Sequence, residues 1–350
     1  MKRYDEGMAL LLKYENVAWY EDGKVRILDR RVYPAVQRFE WCSEYGQVAQ
    51  AIADMVTQSA GPYTAAGMGM ALAGYQCRDM KENKQREFLR QAAYDISHAR
   101  PTTVKRMKAV TEGCLDSAYM AMDMGEDPCE AMFQRTFDSL QRRYKIMGIV
   151  GENLADLIPD GGTVLTQCFG ETIIGTALRA CRRRGNNIKV VCAETRPYLQ
   201  GARLTASCAQ DMEFDTTVVA DNMTGFAMEK MNIDLFTSAA DTIAADGYIA
   251  NKIGTKQMAI LAKYYGIPYF VTGIPDGQNV KGKDIVIEMR DPEETLHAGG
   301  KKHTLEGVKG VYPAFDITPP ELISGLVTDR GTFTPYSLSD YFRKGETLFY

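Results

Sequence analysis

The sequence predicts an α/β protein in which a mainly parallel sheet is preceded by a smaller helical domain with a short β element. In the second half, apolar segments of strand length alternate with segments of helix length, as in a parallel sheet whose faces are both covered. In the first half, apolar residues recur at helical spacing. A chain of 350 residues exceeds the usual single-core size, so we expect two domains, at residues 1–127 and 128–350.

The first domain should begin with β structure and continue as helices. Residues 17–33 alternate apolar and polar side chains around a Glu-Asp-Gly turn, which is typical of a hairpin. Residues 42–125 follow helical spacing, with a break at Gly61 and Pro62. A long helix from Pro128 to about residue 147 then leads into the second domain.

The glycine-rich run GMGMALAG at residues 67–74 is not a dinucleotide-binding fingerprint. It lacks the third glycine at the required spacing, and it lies in a helical context. We therefore interpret it as a site of close helix packing.

The second domain offers five apolar segments that we predict to be strands. They lie at residues 163–168, 188–194, 215–221, 234–241 and 267–273. In a parallel sheet of this kind, ligands bind beyond the carboxyl ends of the strands, so the loops after these segments are where we look for chemistry.

The composition is that of an ordinary globular protein and excludes several classes. With 45% hydrophobic residues and a net charge of -4, it does not point to nucleic acid as a main partner. The eight cysteines form no CxxC pair and only three histidines are present, which argues against a structural zinc site. The apolar stretch near the N-terminus is too short for a signal peptide or a membrane span. We expect a cytoplasmic protein with reduced thiols and no membrane partner.

The most informative stretch is SAADTIAADGYIANKIGT, residues 238–255. Asp241 follows an apolar strand, and Asn251 and Lys252 come ten residues later in what reads as a loop of small residues. A carboxylate at a strand end, near a cation and an amide that can hold an anion, suits a phosphorylated substrate beside a proton-transfer group. The pattern predicts an enzyme.

A second reactive group, Cys168, ends the first predicted strand of the sheet. Because a helix is predicted to open just after it, the helix dipole should lower the pKa of this thiol below its reference value of about 8.5. The alternative interpretations are a buried structural cysteine at Cys168 and an ordinary helix N-cap at Asp241. The two strand ends together favour a site.

A third strand end, in ETRPYLQGARLTA, supplies further polar groups. Arg196, Gln200 and Arg203 can hold hydroxyl groups or phosphate, although an arginine at a strand end is also commonly a structural ion-pair partner. Arg100, in the helical domain, either closes over the site or is a surface arginine at a helix end.

Several blocks of this chain resemble the methylthioribose-1-phosphate isomerases. That family is a branch of a group that includes ribose-1,5-bisphosphate isomerases and regulatory subunits of the eukaryotic initiation-factor guanine-exchange complex. The blocks that carry the resemblance are DGKVRILDRRVYP, ARPTTV, the strand leading to Cys168, ETRPYLQGARLTA, VVADNMTGFAM, AADTIAADGYIANKIGT and the segment HAGGKKHTLEGVKGVYPAFDITPPELISGLVTDRG.

The resemblance implies roles that spacing alone does not. It implies a Rossmann-like second domain, a homodimer formed through that domain, and no metal or organic cofactor. It makes Cys168 and Asp241 the catalytic pair. The substrate phosphate would be held by Arg100, Gln200, Asn251 and Lys252.

Two departures from the family pattern bear on substrate binding. Where the isomerases carry an Arg-Gly-Ala-Pro loop, this chain reads Gln58-Ser59-Ala60-Gly61-Pro62, so the arginine is absent. Losing a bidentate phosphate contact costs about a few kcal/mol unless another cation replaces it. We nevertheless assign Gln58, Ser59 and Ala60 to substrate binding. The second departure is AADT at residues 239–242, where the isomerases usually have Gly-Ala-Asp-Arg.

The expected activity is conversion of 5-methylthioribose 1-phosphate to the ribulose 1-phosphate. The phosphate ester locks the anomeric carbon, so ring opening needs an acid at the ring oxygen, which we assign to Asp241. Hydrogen then moves from C2 to C1, either as a proton through Cys168 or as a hydride shift in an apolar pocket. The sequence leaves both routes open.

The sequence leaves two alternative functions open. The altered segment at residues 58–62 is compatible with an isomerase of 5-deoxyribose 1-phosphate in a disposal pathway for 5-deoxyribose. Ribose 1,5-bisphosphate is disfavoured because its second phosphate calls for more cations than the sequence offers. A non-catalytic regulatory subunit that senses a sugar phosphate or nucleotide needs neither Cys168 nor Asp241, and both are present.

Overall fold

The computed structural model describes residues 3–100, 104–275, 281–343 and 345. The chain divides into two compact units, with the boundary between Lys145 and Ile146. A single helix, Pro128–Ala155, includes that boundary. The domain division at residues 127 and 128 stays a prediction.

The first unit contains the predicted hairpin near its start. After the short helix α1, Tyr14–Val17, strands β1, Trp19–Glu21, and β2, Lys24–Leu28, pair antiparallel. The turn between them places Asp22 and Gly23 at positive φ. A third strand, β3, Phe39–Cys42, pairs with β2 and was not predicted, because four residues next to a helical stretch give too short an alternating pattern.

Helices form the rest of the first unit, as predicted. They are α2, Tyr45–Ala53; α3, Gly61–Cys77; α4, Glu82–Ser97; α5, Val104–Met124; and α6, Pro128–Ala155. The glycine-rich run lies in α3 and packs closely against α6. A Cβ on Gly67 would lie 2.5 Å from Thr136 Cγ2, and one on Gly74 would lie 2.7 Å from Met132 Cε. The interpretation of this run as close helix packing is confirmed.

The second unit is built on a mainly parallel sheet, which confirms the predicted fold class. Within the described residues the strand order is β15-β14-β10-β7-β4-β5-β6, and only the edge strand β15 runs antiparallel. Every residue of the inner strand β4 is buried. The strands are β4, Thr163–Gln167; β5, Lys189–Ala193; β6, Asp215–Val219; β7, Leu235–Ala239; β10, Tyr269–Thr272; β14, Gly325–Thr328; and β15, Gly331–Phe333.

Helices connect these strands, as the alternating pattern requires. They are α7, Thr172–Arg183; α8, Ala206–Asp211; α9, Thr224–Lys230; α10, Thr255–Tyr265; α11, Glu293–Leu296; and α12, Leu338–Phe342. A π-helical turn at Gly201–Thr205 precedes α8. In the part of the chain that the structure describes, no helix is long and apolar enough to cross a membrane.

A small antiparallel sheet, which the sequence did not predict, lies beside the main one. It has the order β13-β9-β8 and is formed by β8, Thr242–Ile243; β9, Ile249–Lys252; and β13, Phe315–Thr318. A further hairpin pairs β11, His297–Ala298, with β12, Lys301–Lys302. The small sheet matters for function because β8 starts directly after Asp241 and β9 ends at Lys252.

Candidate active site at the carboxyl ends of β4 and β7

Cys168 and Asp241 follow two strands that are neighbours in the sheet. Strands β4 and β7 run parallel in the register Val164↔Leu235 to Thr166↔Thr237. Cys168 comes directly after β4, and Asp241 lies two residues beyond the end of β7. The two side chains, 73 positions apart in the sequence, therefore emerge at the same edge of the sheet.

The backbone of Cys168 is held from the neighbouring loop after β5. Its N–H donates to Thr195 Oγ1 at 2.9 Å, and the Thr205 hydroxyl donates to its carbonyl oxygen. Cys168 has φ +62°, and Thr195 has φ +66°. Left-handed backbone at a residue other than glycine is strained and is often found at functional sites. Glu171 and Leu199 add two more positive φ values in the same two loops.

The expected low pKa of the Cys168 thiol is wrong. Burial raises the pKa of this thiol to about 11, and this effect outweighs the positive charges of Lys252 and Arg290, which lower it. Helix α7 starts only at Thr172, four residues further on, so the first turn of that helix is not adjacent to the sulfur. In the unliganded protein at neutral pH, Cys168 is therefore a thiol.

Asp241 is not a helix N-cap, because strand β8 and not a helix follows it. Its N–H donates to Ala250 O on β9 at 2.9 Å, which ties the end of the main sheet to the small one. The side chain is exposed. Its negative charge acts on Cys168, whose thiol pKa it raises, and on Lys252.

Asn251 and Lys252 lie in strand β9, so the expectation that they belong to a loop is wrong. A buried hydrogen-bond network holds Asn251 against the end of β4. Its Nδ2 donates to Thr255 Oγ1 at 3.0 Å and to Gln167 Oε1 at 3.5 Å. Thr255 Oγ1 also donates to Gln167 Oε1, at 2.8 Å. The amide nitrogen of Asn251 is thus already engaged within the fold.

Lys252 is buried at the same edge, with only 5% of its surface exposed. Its Nζ lies 4.6 Å from the centroid of the Phe315 ring. Among the residues that the structure describes, no carboxylate lies within ion-pair distance of this ammonium. Burial lowers the pKa of Lys252, while the nearby Cys168 and Asp241 act to raise it. A buried cation without an ion-pair partner is suited to receive an anion.

Gln200 contributes a buried polar atom to the loop after β5. It directly precedes the π-helical turn, and π-helical turns are frequent at functional sites. Its Oε1 is buried and accepts no hydrogen bond within the described residues. An orphaned buried acceptor carries a free-energy cost of about 1–3 kcal/mol, which a ligand hydroxyl would relieve.

The two arginines of that loop are bound to carbonyl groups. Arg196 Nη2 donates to His297 O at 2.7 Å, and Arg203 donates through Nε and Nη2 to Tyr198 O at 2.9 and 2.6 Å. These contacts fit the structural alternative better than phosphate binding.

Four of the predicted substrate-binding residues lie in the first unit. Gln58, Ser59 and Ala60 directly precede α3. Two buried arginines donate to carbonyl groups of this segment: Arg30 Nη1 to Gln58 O at 2.7 Å, and Arg143 Nη1 to Ala60 O at 2.8 Å. Arg100 is half-buried and follows α4. Their roles in substrate binding remain predictions.

Sequence reasoning missed Arg290, Glu288 and Tyr312. Arg290 pairs with Glu288, and its charge acts on both Cys168 and Lys252. Tyr312 lines a cleft of about 190 Å³ together with Arg196 and Ile253. The segment that carries Arg290, IVIEMRDPEE, has the polar composition of a surface loop, so nothing in its pattern indicated a buried arginine. Among the described residues, no cluster of three or more His, Cys, Asp or Glu side chains could hold a metal ion.

This chain is similar to proteins of known family. The family model described as "Initiation factor 2 subunit family" matches residues 59–335. The methylthioribose-1-phosphate isomerase of Thermosipho africanus is 35% identical over 335 residues, which cover 93% of this chain and 96% of that protein. The protein of the same name from Desulforudis audaxviator is 36% identical over 341 residues, covering 91% of this chain and 94% of its own length.

Two solved structures are also similar to this chain over most of its length. The 5-methylthioribose 1-phosphate isomerase of Pyrococcus horikoshii OT3 superposes with a TM-score of 0.83 at 29% identity, covering 95% of this chain and 98% of that chain. The translation initiation factor eIF-2B subunit delta of A. fulgidus superposes with a TM-score of 0.81 at 28% identity, covering 93% of this chain and 97% of that chain.

Proposed function

The chain belongs to the initiation factor 2 subunit family, and we propose that it is an aldose–ketose isomerase that converts 5-methylthioribose 1-phosphate to the corresponding ribulose 1-phosphate. One observation carries the proposal. Cys168 and Asp241 follow adjacent parallel strands beside the buried Lys252, in a chain whose relatives at 34–36% identity are named for this activity.

The proposed reaction begins with ring opening. The anomeric carbon carries the phosphate ester, so the ring oxygen must be protonated as the bond between C1 and that oxygen is reorganised. Asp241 is the proposed acid, once substrate binding has excluded water and its carboxyl group has taken up a proton. Its position after β7, with its N–H bonded to Ala250 O, fixes the backbone from which the carboxyl group reaches into the site.

Hydrogen transfer from C2 to C1 follows, by one of two routes. In the proton route, the Cys168 thiolate takes the C2 proton, and the electron pair of the C2–H bond forms a C1=C2 double bond in an enediolate-like enol that keeps its phosphate on O1. The proton then returns at C1 as O2 loses its own proton to become the carbonyl oxygen. In the hydride route, hydrogen and its electron pair move directly from C2 to the electron-poor C1 of the opened sugar. O2 loses its proton as C2 becomes the carbonyl carbon, and O1 keeps its phosphate throughout. The raised pKa of Cys168 means that the proton route first requires loss of the thiol proton, which the charges of Lys252 and Arg290 favour.

The substrate phosphate is proposed to lie against Lys252. This ammonium is buried and has no ion-pair partner within the described residues, which supports a role in anion binding. Gln200, whose Oε1 accepts no hydrogen bond among the described residues, is proposed to bind a sugar hydroxyl group. Arg100, Asn251, Gln58, Ser59 and Ala60 complete the proposed binding set.

A second substrate, 5-deoxyribose 1-phosphate, is supported by the segment at residues 58–62. This segment lacks the arginine of the isomerase loop, which is compatible with a specialised branch. An apolar pocket separates a methyl from a methylthio group by only about 1–3 kcal/mol, so one enzyme can accept both. A regulatory role without catalysis is the alternative of another class, since a similar structure bears the name of an initiation-factor subunit.

The protein is further proposed to act in the cytoplasm as a homodimer formed through its second unit. Each of the eight cysteines is free, in keeping with a reducing compartment. Helices α9 and α10 contact each other and expose large apolar side chains. These side chains are Phe226, Ile260 and Tyr264, and the exposed Met223 directly precedes α9. A second copy of the chain would cover them.

The test is an NMR assay of ketose formation by the purified protein without added metal. The three substrates are 5-methylthioribose 1-phosphate, 5-deoxyribose 1-phosphate and ribose 1,5-bisphosphate. Turnover of either of the first two supports the isomerase and names its 5-substituent. Binding without turnover of any would overturn the proposal in favour of the regulatory role. Running the reaction in D₂O tests the proton route, because solvent deuterium at C1 of the product requires proton transfer.

A further inference from the structure

Arg290 lies in the segment before β13 with its guanidinium fixed by a carboxylate and three rings. Its Nε donates to Glu288 Oε1 at 3.1 Å, and its Nη2 donates to Glu288 Oε2 at 3.3 Å. Only 11% of the side chain is exposed. The ring centroids of Tyr198, Tyr312 and Phe315 lie 5.7, 5.9 and 5.8 Å from its Cζ. This cation therefore has a defined position and little contact with water.

The same surroundings connect Arg290 to Lys252, the residue proposed to bind the substrate phosphate. The Phe315 ring that lies near Arg290 also lies under Lys252 Nζ, so two cations share one ring. A main-chain hydrogen bond also joins the two segments: Arg290 N donates to Tyr312 O at 2.9 Å. Tyr312 lies three residues before Phe315. A displacement of Arg290 would thus reach Lys252 through the ring.

We propose that Arg290 is a positioning residue for the isomerase reaction proposed above, and that its fixed positive charge acts on Cys168 and Lys252 without contacting the substrate. The proposal rests on the proposed function. It gives a role to a buried ion pair that the ring-opening and hydrogen-transfer steps do not otherwise use.

The direction of the effect follows from the charges that face the thiol. Lys252, Arg290, Asp241 and the Tyr312 hydroxyl group act on Cys168. Lys252 and Arg290 lower the pKa of the thiol, whereas burial and Asp241 raise it. Arg290 also lowers the pKa of Lys252. Loss of the Arg290 charge therefore raises both pKa values and reduces the thiolate fraction at a given pH.

Glu288 provides a prediction of opposite sign. Its carboxylate offsets the Arg290 charge, so Glu288→Gln leaves the guanidinium more effective at the thiol. A role in packing alone predicts that Arg290→Gln and Glu288→Gln act in the same direction, because each removes the same pair of hydrogen bonds. A role in electrostatics predicts opposite directions.

The experiment measures alkylation of Cys168 by iodoacetamide in the purified full chain, as a function of pH, by peptide mass spectrometry. The other seven cysteines are buried and Cys168 is half-buried. Cys168 is therefore expected to be alkylated before the others. At a pH below the thiol pKa, we expect Arg290→Gln to slow alkylation about three- to tenfold, since one pKa unit is a factor of ten. Arg290→Lys should stay within about twofold of wild type because it keeps the charge.

The matched control is Arg182→Gln, at the exposed end of α7, which should leave the alkylation rate unchanged. Glu288→Gln should alkylate at least as fast as wild type. Wild-type rates in Arg290→Gln, or equal losses in Arg290→Lys and Arg290→Gln, would overturn the proposal. If Arg290→Gln does not fold, the Lys and Glu288→Gln variants still decide between charge and packing.

A second readout connects the effect to turnover. Where Cys168 acts as the base, the pH profile of kcat in Arg290→Gln should move to higher pH, and Arg290→Lys should restore it. An unmoved profile in a variant with slowed alkylation would overturn the role in the reaction. If the wild type turned over none of the three sugar phosphates, the proposed function would fail, while the alkylation rates would still report whether Arg290 acts on Cys168.

Discussion

Lys252 and Phe315 are paired residues on the antiparallel strands β9 and β13, and the Lys252 ammonium lies 4.6 Å from the centroid of the Phe315 ring. Paired residues of an antiparallel ladder point to the same face, so the ladder itself aims the ring at the cation. The aromatic face stabilises a buried ammonium without neutralising its charge. The ring thus acts against burial, which lowers the pKa of Lys252, and favours the charged form that would bind a substrate phosphate.

Substitution of Lys252 should therefore affect substrate binding strongly. Lys252→Met is expected to lower kcat/KM roughly 30- to 1,000-fold, which corresponds to about 2–4 kcal/mol, because the substrate anion would lose its buried cation. Phe315→Leu should raise KM by a smaller factor, since a cation–π contact is worth about 0.5–2 kcal/mol. Steady-state kinetics check both, with Lys263→Met at the exposed end of α10 as the control. Unchanged kinetics in Lys252→Met would remove this residue from the binding set.

Substitution of the catalytic pair should separate binding from turnover. Cys168→Ser and Asp241→Asn are each expected to lower kcat by about 10²–10⁴-fold, the usual contribution of a positioned acid or base. Binding of a sugar phosphate, measured by calorimetry, should persist. Asp160→Asn, in an exposed turn before β4, is the control. Normal turnover in either catalytic variant would rule out the proposed role of that residue.

The sequence predicts the main sheet and one edge of the site well because buried parallel strands are continuous apolar runs. The five predicted segments include β4, β5, β6, β7 and β10, and the comparisons confirm the resemblance drawn from the sequence blocks. Cys168 and Asp241 were found because both directly follow such runs. Their adjacency in the sheet is a matter of strand order, which hydrophobic periodicity does not encode.

The small sheet and the ionisation of Cys168 could not be predicted in this way. Strand β9, IANK, has four residues and ends in two polar ones, so its pattern resembles a loop. The position of Arg290 depends on a long segment folding back toward β13. The pKa of Cys168 depends on the balance between burial and charges from Lys252 and Arg290, which come from distant parts of the chain.

A pair of glycine substitutions tests the close packing of α3 against α6. Gly67→Ala places a methyl group 2.5 Å from Thr136 Cγ2, and we expect it to lower the free energy of unfolding by about 1–3 kcal/mol through overpacking. Gly148→Ala, inside α6, meets nothing within 4 Å and should raise stability by about 0.5–1 kcal/mol. Denaturant unfolding measures both. Equal effects of the two substitutions would contradict the close approach of α3 and α6.

Asp316 should give the protein a distinctive dependence of stability on pH. Burial raises the pKa of this carboxyl from 3.8 to about 6, although its oxygens accept the N–H groups of Gly254 at 2.8 Å and Lys256 at 3.1 Å. Because the folded-state pKa lies above the unfolded one, the folded protein binds more protons between these values. The contribution of Asp316 to stability is therefore fully present below about pH 4 and is lost as the pH rises through about 6.

The measurement is the free energy of unfolding of wild type and of Asp316→Asn from pH 4 to pH 7. Loss of a carboxyl hydrogen bond shifts the variant by a constant, so the difference in slope isolates the titration. Across this range, wild type should lose up to about 3 kcal/mol relative to Asp316→Asn, since each pKa unit corresponds to about 1.4 kcal/mol. Parallel curves for the two proteins would show that Asp316 ionises in the folded state as it does in the unfolded chain. The carboxylate would then be a well-solvated acceptor for the first turn of α10, and not a buried group.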